Sequence, residues 1–373
     1  MLLVTATLPP YAERDIRRVL GFKEGELAVF REHAVRENLH IAVRLLKFGV
    51  SPKARRAAVA AALSLAPARQ NGIAFTLFRD DTEQLAAQLS VHLGMSRCAL
   101  PYHSRITAEG KEHATCECTS ASVDLVGTSA LGMGVSFPSV AVAVLEPPTG
   151  LSELIQQVGR AGRSASAFTW EAPARGVVLY SRSRVWAAIS LALCKPAQRG
   201  SRRMAEVMAM LRFLENPTGC RHRTCQQHLG FVAAGTCNGN CDVCDGTTEY
   251  VIYEKALSVQ EWAAFVNDPV DGLLAEFEDA ERMRGGAAKP TPLNLIAHWT
   301  KRTGRHAVAN EDMAACILIN MLIRGALTLA TTDVHWGGHD EPPQSVLVVQ
   351  EGHWAALEGI EAGADEHFDW FGN

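Results

Sequence analysis

A chain of 373 residues exceeds the usual single-domain size, so two or three compact units are expected. Hydrophobic residues make up 47% of it and mean hydropathy is near zero, a composition that excludes the disordered and membrane-embedded classes. The net charge of −4, from 36 basic and 40 acidic residues, excludes a global positive field, so any nucleic-acid contact has to come from local patches.

The opening run Leu2-Leu3-Val4 is cut short by Thr5 and Pro9-Pro10, too short for a signal peptide or a spanning helix. It predicts an intracellular protein with no membrane partner. Ten cysteines in a chain of this size do not suggest a disulfide scaffold, because four of them cluster late with metal-ligand spacing. The other six (Cys98, Cys116, Cys118, Cys194, Cys225 and Cys316) read as reduced and structural.

From Met1 to about Ser190, short β-like runs alternate with helical stretches, which predicts an α/β domain with an open parallel sheet. The predicted strands are Leu2–Ala6, Asn38–Leu45, Gly72–Leu77, Arg97–Leu100, Leu125–Thr128, Val140–Leu145 and Gly176–Tyr180. Ala54–Leu65 is alanine-rich and reads as a surface helix, and Asp80–Leu93 sets Leu85, Leu89 and Leu93 at four-residue steps, a helix with one buried stripe. The string Leu151–Gly162 also reads as a helix. On it Gln156 and Arg160, with Arg163 just beyond, would share one face and present three planar hydrogen-bonding groups together. Paired guanidiniums suit a phosphate whose charge grows during transfer, whereas an isolated Arg-x-x-Arg is more often a solvated pair. Upstream, Val126-Gly127-Thr128 runs into a glycine-bearing turn, the strand-end context in which α/β sheets bind ligands.

Helix Arg202–Leu214 leads into Cys220, Cys237, Cys241 and Cys244, which have 16, 3 and 2 residues between them. That pattern predicts a closed, structural zinc site with four sulfur ligands, with Asn238, Gly239 and Asn240 forming a tight knuckle. His222 and Cys225 are spare ligand candidates. Gly285–Pro292 reads as a linker. Beyond it, helix Asp312–Arg324 and paired strands Ala326–Ala330 and Ser345–Gln350 make a small last unit, and Glu358–Asn373 an acidic, solvated tail.

These segments, in this order, resemble a superfamily 2 helicase of RecQ type. Thr128-Ser129-Ala130-Leu131-Gly132-Met133-Gly134-Val135-Ser136 resembles motif V, and Gln156-Gln157-Val158-Gly159-Arg160-Ala161-Gly162-Arg163 resembles motif VI. Val4-Thr5-Ala6-Thr7 is similar to motif III, and Phe30 to Val43, with Arg36, Asn38 and Leu39, to the entry of the second motor lobe. Gly72–Leu89 is similar to motif IV, Tyr102-His103 to the pair that follows it, and Cys220-Arg221-His222-Arg223 through Cys241-Asp242-Val243-Cys244 to the RecQ zinc module. The match departs at Ser136, Gln157 and Ser164, where the family carries Asp, Glu and Asp.

The resemblance implies a RecA-like lobe over residues 1–190, a helical zinc-binding module over 191–250, a connector over 251–292 and a winged-helix-like α+β domain over 293–373, for which a generic small α/β cap is the alternative. Within that domain Thr331–Pro343, with His335, Trp336 and His339, would be the wing. It also implies an ATP-dependent 3′-to-5′ DNA helicase of recombination or repair, nuclear if eukaryotic. Arg163 would be the arginine finger, aided by Arg160 and Gln156. Gly132, Gly134 and Ser136 would couple nucleotide to movement, and Thr128, Thr5, Thr7 and Arg221 would meet DNA, although solvated arginines explain Arg221 and Arg223 equally well. No G-x-x-x-x-G-K-[ST] loop and no D-E-x-H box occurs in these 373 residues, so ATP and magnesium require a first lobe. Without that lobe, the alternative is a catalytically inactive DNA-binding or adaptor protein that keeps the zinc module.

Overall fold

Parallel strands buried on both faces have near-continuous apolar sequences, and Val140–Leu145 (VAVAVL), with all six residues buried, is the plainest case. In the computed structural model it lies inside a six-stranded, all-parallel sheet. The strands are β1 (Leu39–Leu45), β2 (Asn71–Phe75), β3 (Cys98–Tyr102), β4 (Val123–Gly127), β5 (Val140–Leu145) and β6 (Ala174–Tyr180), in the order β1-β6-β5-β2-β4-β3. The structure describes residues 3–351 except 6, 24, 33–34, 68–69, 94–97, 120–122, 133–136, 165, 194–200, 232–236, 249–269, 284–288, 302–309, 324–326 and 335–343.

The chain divides into two compact units. The first comprises Met1–Leu46, Val50–Tyr180 and Phe213–Tyr250, and the second Lys47–Gly49, Ser181–Arg212 and Val251–Asn373.

In the first unit, helices α1 (Pro10–Leu20), α2 (Pro52–Leu63), α3 (Arg79–Leu93), α4 (Ala108–Thr119), α5 (Leu151–Val158) and α8 (Arg221–His228) accompany the sheet. Ser51 starts α2 by accepting the Ala54 amide at 3.2 Å, with Pro52 at the first helical position, where a missing N–H costs nothing. Helix α2 then buries Val59, Ala60, Ala62 and Leu63, and α5 buries Leu151, Leu154, Ile155 and Val158. Of the predicted first strand, Leu2–Ala6, the described residues Leu3–Thr5 are in no strand and Val4 is 84% exposed, while Leu2 and Ala6 lie outside the described residues. Apolar β-branched composition alone does not make a strand, because its backbone groups need a neighbouring chain.

In the second unit, α6 (Val185–Leu193) buries six of its nine residues. Helix α7 spans Ser201–Glu215. The remaining helices are α9 (Val270–Met283), α10 (Pro292–Trp299) and α11 (Glu311–Ile323). Nine of the ten α11 positions from Met313 to Leu322, all but Cys316, are buried, and Asp312 at its start pairs at 3.0 Å with the buried Arg182. Strands β7 (Leu327–Val334) and β8 (Gln344–Glu351) form the expected antiparallel hairpin, longer than the sequence suggested. The segment joining them, 335–343, with His335, Trp336 and His339, lies outside the described residues, as does the acidic tail. No described helix is long and apolar enough to cross a membrane.

Candidate functional site

Helix α5 ends earlier than its sequence suggests. It stops at Val158; Gly159 and Arg160 form a turn, and Gly162 sits in the left-handed region at φ 70°. Gln156, Arg160 and Arg163 therefore do not share a helical face, which corrects the sequence expectation. The cause is tertiary. The Gly162 amide is taken by Val140 O at the start of β5, 3.0 Å away. Arg36 donates to the carbonyls of Gly159 (2.9 Å) and Ala161, and Asn38 Nδ2 donates to those of Gly162 and Phe168, both at 3.2 Å. A cation beside the carbonyl end of a helix is also favoured by the helix dipole. A Cβ on residue 162 would stand 2.9 Å from the Ala174 Cβ. Gly162→Ala is thus expected to lower stability by about 1–3 kcal/mol, the cost of a left-handed non-glycine residue, read as a shifted denaturation midpoint. An unchanged midpoint would show that the turn does not require this conformation.

The turn separates its two arginines. Arg160 is 7% exposed, while Arg163 is exposed and its Nε donates to Gly159 O at 3.4 Å. Burial, and then the neighbouring Arg163 charge, push Arg160 down to about 10. The same two causes lower Arg36, and burial lowers Arg163. Each shift marks a guanidinium whose charged form is held at a cost. A bound anion beside the turn would offset that cost.

Gln156 faces another way: its Nε2 donates to Thr7 Oγ1 at 2.6 Å, and Thr5 Oγ1 donates to Thr7 O at 3.0 Å. The structure so brings motif III-like Thr7 to motif VI-like Gln156, and leaves Thr5 exposed.

Thr128 follows β4, its amide donating to Tyr102 O at 3.3 Å, and Ser129–Gly132 form a 3₁₀ turn packed against α5. Thr128 lies at the carboxyl ends of the strands and the arginine turn at their amino ends. A strand of five or six residues places about 15–20 Å between them. Thr128 thus stands at the strand ends where α/β sheets bind ligands, and the arginines do not. Gly134 and Ser136 lie outside the described residues, and Gly132 closes the 3₁₀ turn.

The four predicted ligands converge. The sulfurs of Cys220, Cys237, Cys241 and Cys244 lie within 4.8 Å of one another. A tetrahedral site with Zn–S bonds of about 2.3 Å needs sulfurs about 3.8 Å apart, so the cluster fits zinc after small adjustment. Asn238 (φ 53°) and Gly239 (φ 93°) take left-handed conformations in the knuckle, as their residue types suggested. Backbone amides point at the sulfurs, Cys244 N lying 3.4 Å from Cys241 Sγ. Hydrogen bonds from Cys237 and Cys241 hold the Cys220 thiol well below its ordinary range. The spare candidates are used otherwise: His222 Nε2 hydrogen-bonds Leu39 O at 2.8 Å, and burial pushes the Cys225 thiol up.

Arg221 departs from its expected DNA role. It is 1% exposed and grips Asp242 through two bonds, Nε to Oδ1 at 2.9 Å and Nη2 to Oδ2 at 3.2 Å, with its guanidinium 5.3 Å from the Phe213 ring centre. A side chain so enclosed has no surface to offer a phosphate; the exposed Arg223 is the arginine of this segment that does. Asp242 also accepts the Val43 amide at 3.0 Å, and Cys241 forms a parallel bridge with Ile41, so the knuckle is stitched onto β1. Arg31 secures the N-terminal segment to the same module. It donates to Leu8 O and Leu229 O at 2.6 and 2.7 Å, and pairs with Glu13.

Arg36 and Asn38, which the resemblance places at the entry of the second motor lobe, and Asp242, which it places in the zinc module, had no site role assigned to them from the sequence; locally they show only as polar side chains beside or within an apolar run.

Comparison with known proteins agrees with this geometry. Residues 54–165 match the family described as helicase conserved C-terminal domain, and residues 185–245 that described as RecQ zinc-binding. No curated protein matches the chain. Among solved structures, similarity extends to the Mycobacterium smegmatis helicase Lhr bound to ssDNA and AMP-PNP (15% identity, TM-score 0.37, 57% of this chain and 25% of that one). It extends also to S. cerevisiae Dbp5 bound to RNA and ADP BeF3 (11%, 0.38, 61% and 49%) and to Mss116p DEAD-box helicase domain 2 bound to an RNA duplex (18%, 0.32, 52% and 80%). The chain thus spans a quarter of the first of these and about half of the second. With strands β2–β5 of the parallel sheet under the first family match and the four-cysteine cluster under the second, the chain carries the C-terminal portion of a RecQ-like superfamily 2 helicase.

Proposed function

We propose that this chain supplies the second motor lobe and the zinc module of an ATP-dependent DNA helicase moving 3′ to 5′ in recombination or repair. Arg163, with Arg160 behind it, would reach the phosphates of ATP held with magnesium on a first lobe. Thr128, at the opposite ends of the strands, and the exposed Thr5 would track DNA phosphates, and structural zinc would hold the helical module to the sheet. The observation that carries this reading is the arginine turn. Arg163 is exposed, Arg160 is buried behind it, and both are fixed by the clamp from Arg36 and Asn38. Arginine positioned in this way serves to stabilise charge in phosphoryl transfer.

The experiment is ATP hydrolysis with single-stranded DNA. The 373-residue chain alone is expected to show no turnover, and a phosphate-loop lobe supplied in fusion is expected to restore it. Turnover by the chain alone, or none by the fusion, would overturn the reading. The second outcome favours a DNA-binding adaptor, to which Ser136 in place of the family's aspartate also points.

A further inference from the structure

The clamp and the zinc knuckle act on the same short stretch of chain. From Arg36 to Ile41 the sequence runs through the two clamp residues into the first turns of β1. Asn240 Nδ2 donates to Glu37 O at 2.6 Å, the Ile41 amide to Asn240 O at 3.2 Å, and the Asp242 amide to Ile41 O at 3.0 Å. His222 holds Leu39 O, and His40 Nε2 stands 2.8 Å from Asp245 Oδ2. On the other side of the same residues, the Ala174 amide donates to Asn38 O at 3.0 Å, and the Arg36 and Asn38 side chains grip the carbonyls of Gly159, Ala161, Gly162 and Phe168. Residues 36–41 are therefore a strap, with the cysteine knuckle on one edge and the arginine turn on the other.

We infer that Arg36 and Asn38 are positioning residues for the arginine turn, and that the zinc knuckle, by fixing the strap that carries them, sets how firmly Arg160 and Arg163 are held. The amides of Gly159, Arg160 and Ala161 tie the turn back to the end of α5, through the carbonyls of Ile155, Gln157 and Val158, and the Gly162 amide ties it to the sheet at Val140 O. Three of the turn's carbonyls, and that of Phe168 beyond it, are held by two side chains that precede β1. Freed from Arg36, the Gly159 and Ala161 carbonyls turn toward water and the arginines lose their common frame. Both clamp residues are half-buried, and each acts through the backbone of the turn.

This inference rests on the motor reading for its consequence in catalysis, but its test does not. Hydrogen exchange followed by mass spectrometry on the full chain reads the amides of Gly159, Arg160, Ala161 and Gly162, all of which are hydrogen-bonded. In Arg36→Gln and Asn38→Asp their exchange is expected to rise about three- to tenfold, the effect of one or two lost hydrogen bonds. Strands β2 and β4 and the zinc content should stay unchanged, and Arg36→Lys, which keeps a cationic donor, should restore part of the protection. Stepwise zinc extraction should loosen 36–41 and 159–162 together, ahead of β2 and β4. Unchanged exchange at 159–162 in the variants, or protection there that outlasts zinc release, overturns the inference and leaves the motor reading intact. An even rise across the whole sheet also overturns it, because the residues are then merely structural. If instead the exchange result holds and the fused motor shows no turnover, the motor reading fails and the strap remains.

Discussion

Arg163→Ala in the two-lobe fusion is expected to lower DNA-stimulated ATP turnover by about 10³–10⁵, the range of an arginine finger, with little change in KM or in the unfolding midpoint. The separation follows from geometry. Arg163 is exposed, so its removal takes no side chain out of the core. Arg160 is buried, and Arg160→Ala is expected to reduce stability as well as turnover. Arg163→Lys should recover part of the rate, since it restores charge without the planar fork. Single-turnover kinetics with saturating nucleotide separate the chemical step from binding. A loss of less than tenfold for Arg163→Ala, or an effect confined to KM, would assign the finger to another residue.

The zinc site carries the second large effect. A four-sulfur structural site contributes about 10–16 kcal/mol of apparent binding free energy at neutral pH, and Cys241 is its most enclosed ligand, with 0% exposure. Cys241→Ser is expected to reduce metal content from about one zinc per chain to a small fraction. It should also remove several kcal/mol of stability, seen as an early, separate loss of structure over 220–246 on denaturation. A chelator should reproduce the effect in the unaltered chain and have none on the variant. If the variant keeps both its metal and its midpoint, the four-cysteine assignment is wrong. The loss reaches past the metal because the Cys241 backbone bridges to Ile41, and the adjoining Asp242 satisfies Arg221 and the Val43 amide. Without the knuckle, a buried guanidinium and a buried amide lose their acceptor together.

How far the sequence revealed these features depends on the range of the forces behind them. The runs of β5 and β6 were legible because a strand buried on both faces must be apolar throughout. The zinc ligands were legible because metal geometry fixes local spacing. Helix α1 carried its own signals, Pro10 at the first position, Glu13 in the first turn, Arg17 and Arg18 in the last and Gly21 after it, yet it was passed over. Helix α4 gave nothing to read, since in AEGKEHATCECT it buries two small residues, Ala114 and Cys118, and has no apolar stripe. The two corrections at the site are both long-range. The end of α5 at Val158 is set by Val140, Arg36 and Asn38, the last two more than a hundred positions away. The burial of Arg221 depends on an aspartate 21 residues later. Neither partner is visible in the string around the residue it controls.

The outer strands of the sheet, β1 and β3, differ in what shields them. Strand β3 has Pro101 near its end, and proline lacks the N–H that a neighbouring chain would need to extend the ladder. Strand β1 reads LHIAVRL and has no such protection in its own sequence; the cysteine knuckle occupies the backbone groups of Ile41 and Val43 instead. Metal supply in the cell would then govern solubility as well as folding, because a chain deprived of zinc presents an apolar, β-prone rim to the next copy of itself.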